Sequence, residues 1–557
     1  MSSTTATSPD TSIRPKRGEG QWALGYFTPL NANEQVKKDD DGLNVRRRIE
    51  NIYAHHGFAS IDPADLRGRF RWWGLYTQRK PGIPGGRTAV LEPHELDDEY
   101  FMMRVRIDGG QLSVEQLRVI ADISITYARD TADLTDRQNI QLHWVRIEDV
   151  PEIWRRLESV GLSTTEACGD VPRVILGSPL AGIAAAEVLD PTWAIEEIER
   201  RYIGSPEFSN LPRKYKSAIS GLPDVAHEIH DIAFVGVVHP EYGRGLDLWV
   251  GGGLSTNPKL AKRLDAWVPL DEVPDVWAAV TRLYRDYGYR RLRTRARLKF
   301  LVEDWGVERF RDVLETEYLN RPLRDGSPVL VPERAYDHVG VHPQQDGRFY
   351  VGVAPLVGRV SGPRLGKLAD IVQAHGSGRI RTTPQQKLVI LDVAPDQVES
   401  LVTALDDIGL QARPSAFRRD TMACTGLEFC KLAIVETKGL AAATIAELER
   451  RLADVAGQLD TPITLNVNGC PNSCARIQVA DIGLKGQIVR GEDGFQVHLG
   501  GGFGLDAGLG RKARGLKVTS AELPEYVERL VRRFIAGREP GERFAQWALR
   551  ASEEELQ

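Results

Sequence analysis

The chain has 557 residues, 42% hydrophobic and 27% charged, with a formal net charge of −5. One hydrophobic core stops growing at about 250–300 residues, so two to four domains are expected, and the slightly negative balance excludes a general nucleic-acid binder. No stretch reaches the roughly 18 apolar residues of a membrane span.

Residues 1–35, opening MSSTTATSPDTSIRPKRGEG, are polar and lack the apolar segment of a signal peptide. They read as a disordered tail on a cytoplasmic, monomeric protein. The next unit, 36–164, contains an apolar strand at Tyr100–Ile107, a helical pattern at Val114–Tyr127, a strand at Ile140–Val145 and a helix at Val150–Val160. That alternation predicts a ferredoxin-like α+β layer. A larger α/β module is expected over 165–335, ending in a proline-rich crossover around Pro322–Pro332. A second ferredoxin-like unit follows over 336–420, with its elements between about Phe349 and Leu410, and a second α/β module over 421–557.

The two halves repeat. Gly245–Leu254 and Gly494–Phe503 are both alternating strands running into three glycines. Ala121-Asp122-Ile123 ahead of Thr135 and Gln138 matches Ala369-Asp370-Ile371 ahead of Thr382 and Gln385. The fold class expected is therefore α+β: a pseudo-two-fold duplicated protein, two ferredoxin-like modules and two larger α/β modules around a central cleft.

Four of the five cysteines fall between Cys424 and Cys474, spaced as Cys424-x5-Cys430 and Cys470-x3-Cys474. Clustered thiolates suit iron–sulfur clusters or zinc. Structural zinc prefers tighter pairs, and the wider first pair suits a cuboidal cluster, although spacing alone leaves zinc or no metal open.

CTGLEFCKLAIVETK and NGCPNSCARIQVADIGLKG resemble the two cluster signatures of the sirohaem-containing sulfite and nitrite reductases. FMMRVRIDGG, TDRQNIQ, GLSTTEACGDVPRVILGSPLAGI, NLPRKYKSAISG and LDAWVPLDEV extend the resemblance over most of the chain. It implies a [4Fe–4S] cluster on Cys424, Cys430, Cys470 and Cys474, with Cys474 bridging to sirohaem. It also implies that Arg104, Arg173, Lys214 and Lys216 surround the anionic substrate, and that Arg137, Gln138, Asn139 and Gln141 hold haem carboxylates. Arg295, Arg297 and Lys299, in RRLRTRARLK, are expected to line one face of a strand and meet the same carboxylates.

No flavin or nicotinamide module is visible, so electrons are expected from another protein, and the resemblance implies a reduced ferredoxin. Gly502-Phe-Gly504-Leu-Asp-Ala507 fits a dinucleotide fingerprint but lacks the acidic residue about 20 positions on. Lys431, Lys438 and Lys485 are candidates for the donor's docking patch. Cys168 lies close before Arg173, and Tyr76 precedes the Arg104 strand, so a thioether link between them is a further expectation. Lys214-x-Lys216 favours sulfite reduction, in the manner of an assimilatory ferredoxin-dependent sulfite reductase. The alternatives are a ferredoxin-dependent nitrite reductase and, in a different class, a zinc-stabilised RNA-binding protein.

Overall fold

The computed structural model describes residues 30–326 and 337–557. The proline-rich crossover and most of the N-terminal tail lie outside the described residues. The tail ends earlier than 35, because a helix already spans Ala32–Asp39. Within it, Lys37 pairs with Glu34 at 2.5 Å and with Asp170 at 3.6 Å, and all three are buried. That ion network anchors this helix to the first α/β module.

The helix at Val114–Tyr127 forms over the predicted span. Ser113 and Gln116 close a capping box at its start. The strand Ile140–Val145 also matches, whereas the helix from Val150 stops at Glu158, just before the left-handed Gly161. The expected strand at Tyr100–Ile107 is shifted to Asp97–Val105.

The two ferredoxin-like units are not separate modules. The first sheet orders Leu75–Arg79, Asp97–Val105, Ile140–Val145, Thr131–Leu134 and then Arg359–Ser361, a strand from the second copy. The second sheet is completed reciprocally by Gln111–Ser113 from the first copy. One continuous core, from Val45 to Val171 and from Val351 to Ala412, lies between them. A strand this short gains most of its stability from its neighbours' faces, so the exchange joins the halves.

The larger modules each hold a mixed sheet. Leu176–Gly177, Ser217–Ser220 and Ile232–His239 run parallel, then Gly243–Val250 and Lys262–Val268 antiparallel. Thr421–Ala423, Leu465–Asn468, Ile482–Val489, Glu492–Leu499 and Arg511–Thr519 repeat that order. Among the described residues no helix is long and apolar enough to cross a membrane.

The duplication is visible in backbone conformation. Gln138 and Gln386 are both left-handed, at φ 56° and 60°, as are Trp144 and Asp392, both at 62°. Thr135 Oγ1 accepts from the amides of Arg137 and Asn139, and Thr383 Oγ1 from those of Gln385 and Lys387. The register is thus Thr135 with Thr383 and Gln138 with Gln386. This corrects the sequence alignment by one residue, because the adjacent Thr382 and Thr383 offer two equally good matches.

Candidate active site

Cys424 follows directly on the strand Thr421–Ala423 and Cys470 comes one residue, Gly469, after the strand Leu465–Asn468, and the two strands are parallel neighbours. Both cysteine loops therefore leave the same edge of the sheet, where open α/β sheets place their ligands. Gly426 is at φ +72°, and a Cβ there would meet Thr437 Oγ1 at 2.2 Å, so this turn requires glycine. Asn468 fastens the second loop, donating to the Cys470 carbonyl at 2.6 Å and accepting from the Ala475 amide at 2.8 Å.

Backbone amides face the thiols. Gly469 and Gly426 donate to Cys424, Leu432 and Ala433 to Cys430, and Asn472 to Cys470. Burial first, then the nearby Cys474, pushes Cys424 up to about 12, and the same causes raise Cys430 and Cys470. The four thiols thus feel one another. Yet among the described residues no three His, Cys, Asp or Glu side chains are grouped so as to hold a single metal ion. Sulfurs coupled but apart suit a multi-iron cluster better than one zinc. Cys474 alone of the four is exposed.

The first copy has no such cluster site. Gln386 brackets Ala423 through its amide N–H and carbonyl, as Gln138 brackets Gly177. The residue after each is Cys424 in one copy and Ser178 in the other. Ser178, Ser220 and His338 there converge on Asp224 at 2.6–2.9 Å, filling the space with a buried polar network.

The first half also grips the Cys430 loop. Phe429 stacks on His143 with centroids 3.8 Å apart, and Lys431 bonds Asp97 and Thr77. Lys431 is therefore not free for a docking partner. Nor is Lys438, which is 2% exposed and donates to the Val357 carbonyl at 2.6 Å. Lys485 remains partly exposed.

Beyond Cys474 lies a group of cations. The segment carrying Arg173 runs beside that carrying Lys214 and Lys216, bridged at Pro172 and Tyr215. Arg173 Nε donates to the Gly169 carbonyl at 2.9 Å, and Arg104 Nε lies 3.3 Å from Cys168 Sγ. Arg137 is within electrostatic reach of Arg104, Arg173 and Arg476. Burial, then these neighbours, brings Arg137 down to about 9. Burial and Arg137 bring Lys216 down to about 7, while burial and Lys216 push Lys214 well below the usual lysine value. Cys474 acts on both lysines in the opposite sense. Asp136 also acts on Arg104, Arg137 and Lys216, but it is paired with Arg476, so the cations outnumber the carboxylates and form an anion site.

Several expected haem contacts are placed otherwise. The stretch Arg290–Lys299 is not a strand: Arg293–Arg295 is a short 3-10 turn and a helix starts at Leu298. Its alternating charges therefore do not share one face. Arg295 is exposed, over the Phe300 ring at 5.3 Å. Arg297 makes a two-pronged pair with the buried Asp231 at 2.7 and 3.0 Å, and Asp231 also accepts from the Lys216 amide at 2.8 Å. Lys299 is spent on the carbonyls of Gly253, Leu254 and Asn257. Gln138 is fully buried and its amide is used up by Gly177 and the Thr382 carbonyl, which makes it a clamp between the halves. Asn139 Oδ1 is buried without a partner, and Gln141 Oε1 accepts from Thr425 in the Cys424 loop at 3.2 Å.

Three contributors carried no local sequence signal. Arg476 reaches across to the Asp136 carbonyl at 2.6 Å, tying the second cysteine loop to TDRQNIQ. His230 meets Arg137, and Asp170 pairs with Lys37, Arg213 and Arg293. Gly502–Ala507 opens no helix but a short 3-10 turn before a strand, which rules out a dinucleotide fold there.

Residues 168–323 and 415–557 match the nitrite and sulphite reductase 4Fe-4S domain, and 94–160 and 342–408 the nitrite/sulfite reductase ferredoxin-like half domain. A sulfite reductase [ferredoxin] of Mycobacterium tuberculosis is 63% identical over 553 residues, covering 98% of this chain and 100% of that protein. A ferredoxin–nitrite reductase of Synechococcus elongatus is 36% identical over 516 residues, covering 90% and 96%. The solved structure of the Mycobacterium tuberculosis NirA protein superposes with a TM-score of 0.95 at 63% identity, covering 97% of this chain and 100% of that one. With both family models matching in each half and relatives this similar along nearly the whole length, the chain belongs to the nitrite and sulfite reductase family.

Proposed function

We propose that this protein reduces sulfite to sulfide with electrons from reduced ferredoxin, in sulfate assimilation. The observation that carries the reading is Lys216 beside Lys214, both half-buried and close enough for the charge of Lys216 to lower the Lys214 pKa, within the cation group that adjoins Cys474. The reaction takes up six electrons and six protons per sulfite dianion and releases sulfide and three waters. When bound, sirohaem and the [4Fe–4S] cluster supply the redox chemistry. Cys424, Cys430, Cys470 and Cys474 would hold the cluster, and Arg137, Asn139 and Gln141 would meet the haem.

Arg104, Arg173, Lys214 and Lys216 attract the oxyanion and hold its oxygens. An entering anion opposes the burial and like charges that lower Lys214 and Lys216, favouring their charged forms, which can donate protons to departing oxygens. Asp231 orients this pair indirectly, through the Lys216 amide and Arg297. Sulfite presents more charge and one more oxygen than nitrite, so a second lysine favours it. A charge-assisted hydrogen bond to a desolvated anion contributes about 1.5–3 kcal/mol. Lys216→Asn should therefore lower kcat/KM for sulfite about ten- to a hundredfold more than for nitrite. Unchanged relative efficiency would remove Lys216 as the discriminator, and a parent enzyme preferring nitrite would overturn the substrate.

Cys168 and Tyr76 both act electrostatically on Arg104. We infer that they join as a thioether: one S–C bond forms, and two electrons and two protons pass to dioxygen, giving peroxide. Peptide mapping should find one linked peptide two hydrogens lighter than the separate pair; two unmodified peptides in active enzyme would exclude the link. We infer a cytoplasmic location, which the need to keep four cluster-ligating thiols reduced supports.

A further inference from the structure

Arg79 ends the strand Leu75–Arg79 of the first half and is only 2% exposed. Its backbone amide donates to the Phe429 carbonyl at 2.8 Å, next to Cys430. Nη1 donates to Thr88 Oγ1 at 3.0 Å and to the carbonyls of Ala433 at 3.4 Å and Lys431 at 3.5 Å. Nη2 donates to the carbonyls of Ile83 at 3.0 Å and Pro84 at 3.2 Å. Nε is buried without an acceptor. The loop between Arg79 and Thr88 lies directly on the cysteine loop: a Cβ at Gly85 would fall 1.6 Å from the Ile434 carbonyl oxygen.

A buried guanidinium ordinarily has a carboxylate, since removing an unpaired charge from water costs several kcal/mol. Arg79 has none within ion-pair distance among the described residues. Asp97, opposite it in the strand register, is taken by Lys431. Burial lowers the Arg79 pKa, and the one group that opposes this is Cys430, whose sulfur would carry negative charge when bound to iron. The carbonyl bonds hold the guanidinium in place without neutralising it.

We propose that Arg79 is the fixed counter-charge of the iron–sulfur cluster and sets its reduction potential from the opposite half of the molecule. Adding an electron to the cluster adds negative charge beside a buried cation in a medium of low polarity, so the reduced state is stabilised. No bond forms or breaks and no proton need move. Arg79 is in this sense a positioning residue for the potential.

The test is a redox titration of the reconstituted holoenzyme followed by electron paramagnetic resonance, with iron counted per chain. Arg79→Gln should shift the cluster midpoint to more negative values at full iron content. Thr88→Val, which loosens the same loop but keeps the charge, should leave the midpoint at the parent value. An unchanged midpoint in Arg79→Gln, or an equal shift in Thr88→Val, would overturn the proposal. Should Arg79→Gln fail to load iron, Arg79→Lys decides: iron retained with lysine supports the charge, and iron lost from both shows that only the fork's geometry matters.

Discussion

Arg137 Nη1 meets His230 Nε2 at 2.6 Å, while His230 Nδ1 is 2.6 Å from the Ala226 carbonyl. The carbonyl fixes the proton on Nδ1, leaving Nε2 to accept from the guanidinium, so this imidazole is neutral. Burial first, then Arg137, Lys216 and Arg476, holds its pKa well below the ordinary histidine value. The unfolded chain takes up this proton near pH 6.5 and the folded chain does not. Stability contributed by the neutral ring is complete above about pH 6.5 and is lost as pH falls below it, by up to ~1.4 kcal/mol per unit. His230→Gln should flatten that acid slope. Denaturant melts between pH 7.5 and 5.5 measure it, and parallel slopes for the two proteins would refute the protonation argument.

Serine at Cys424, Cys430 or Cys470 should abolish iron binding and lower thermal stability, because ligation and folding of these loops are coupled. Cys474→Ser, altering the exposed thiol on the cation side, should also decouple the haem and cluster spectra. Iron analysis and visible spectra report both effects. A parent-like spectrum at full iron in any of the four would contradict the ligand set.

Gln138→Ala should cost about 1–3 kcal/mol of stability, the penalty for leaving the Gly177 amide and the Gly177 and Thr382 carbonyls unpaired in the interior. Because its amide is fully engaged, haem content and KM for sulfite should stay near those of the parent. Loss of haem at unchanged stability would return Gln138 to the cofactor.

Lys485, Gln496 and Lys517 form one cross-strand row, and His498 and Lys512 part of the next, on one face of the last sheet. Lys485 also pairs with Asn468, two residues before Cys470. Among the described residues none of these lysines is in ion-pair contact with a carboxylate, and Lys512 and Lys517 depress the Lys485 pKa after burial has done so. Such a field draws an acidic donor. Reversing all three to Glu should raise KM for reduced ferredoxin on the order of tenfold, with activity from a small viologen donor unchanged. Equal effects on both donors would mean damage elsewhere, and no effect would mean that the lysines only protect a sheet edge.

What was legible in the sequence was what local pattern dictates. The helical pattern gave Val114–Tyr127 to the residue, and Cys424-x5-Cys430 with Cys470-x3-Cys474 located the centre. Arg290–Lys299 misled because alternating charge looks like a strand, while Arg297 and Lys299 in fact answer to Asp231 and to three carbonyls brought in by folding. Arg79, His230 and Asp136 were silent for the same reason. Their partners are far along the chain, at Ala433, Arg137 and Arg476, and no spacing rule encodes such a pairing.

The exchange of edge strands also has a consequence at the ribosome. The first sheet, whose own strands end at Val145, is finished only by Arg359–Ser361. At roughly 5–20 residues per second, synthesis leaves that edge open for on the order of ten to forty seconds. During this interval its unpaired Thr131–Leu134 strand is a template for pairing with other chains. The enzyme cannot mature one half at a time: its N-terminal portion waits, incomplete, for a segment not yet made, and a gene cut between the halves would strand both pieces in that state.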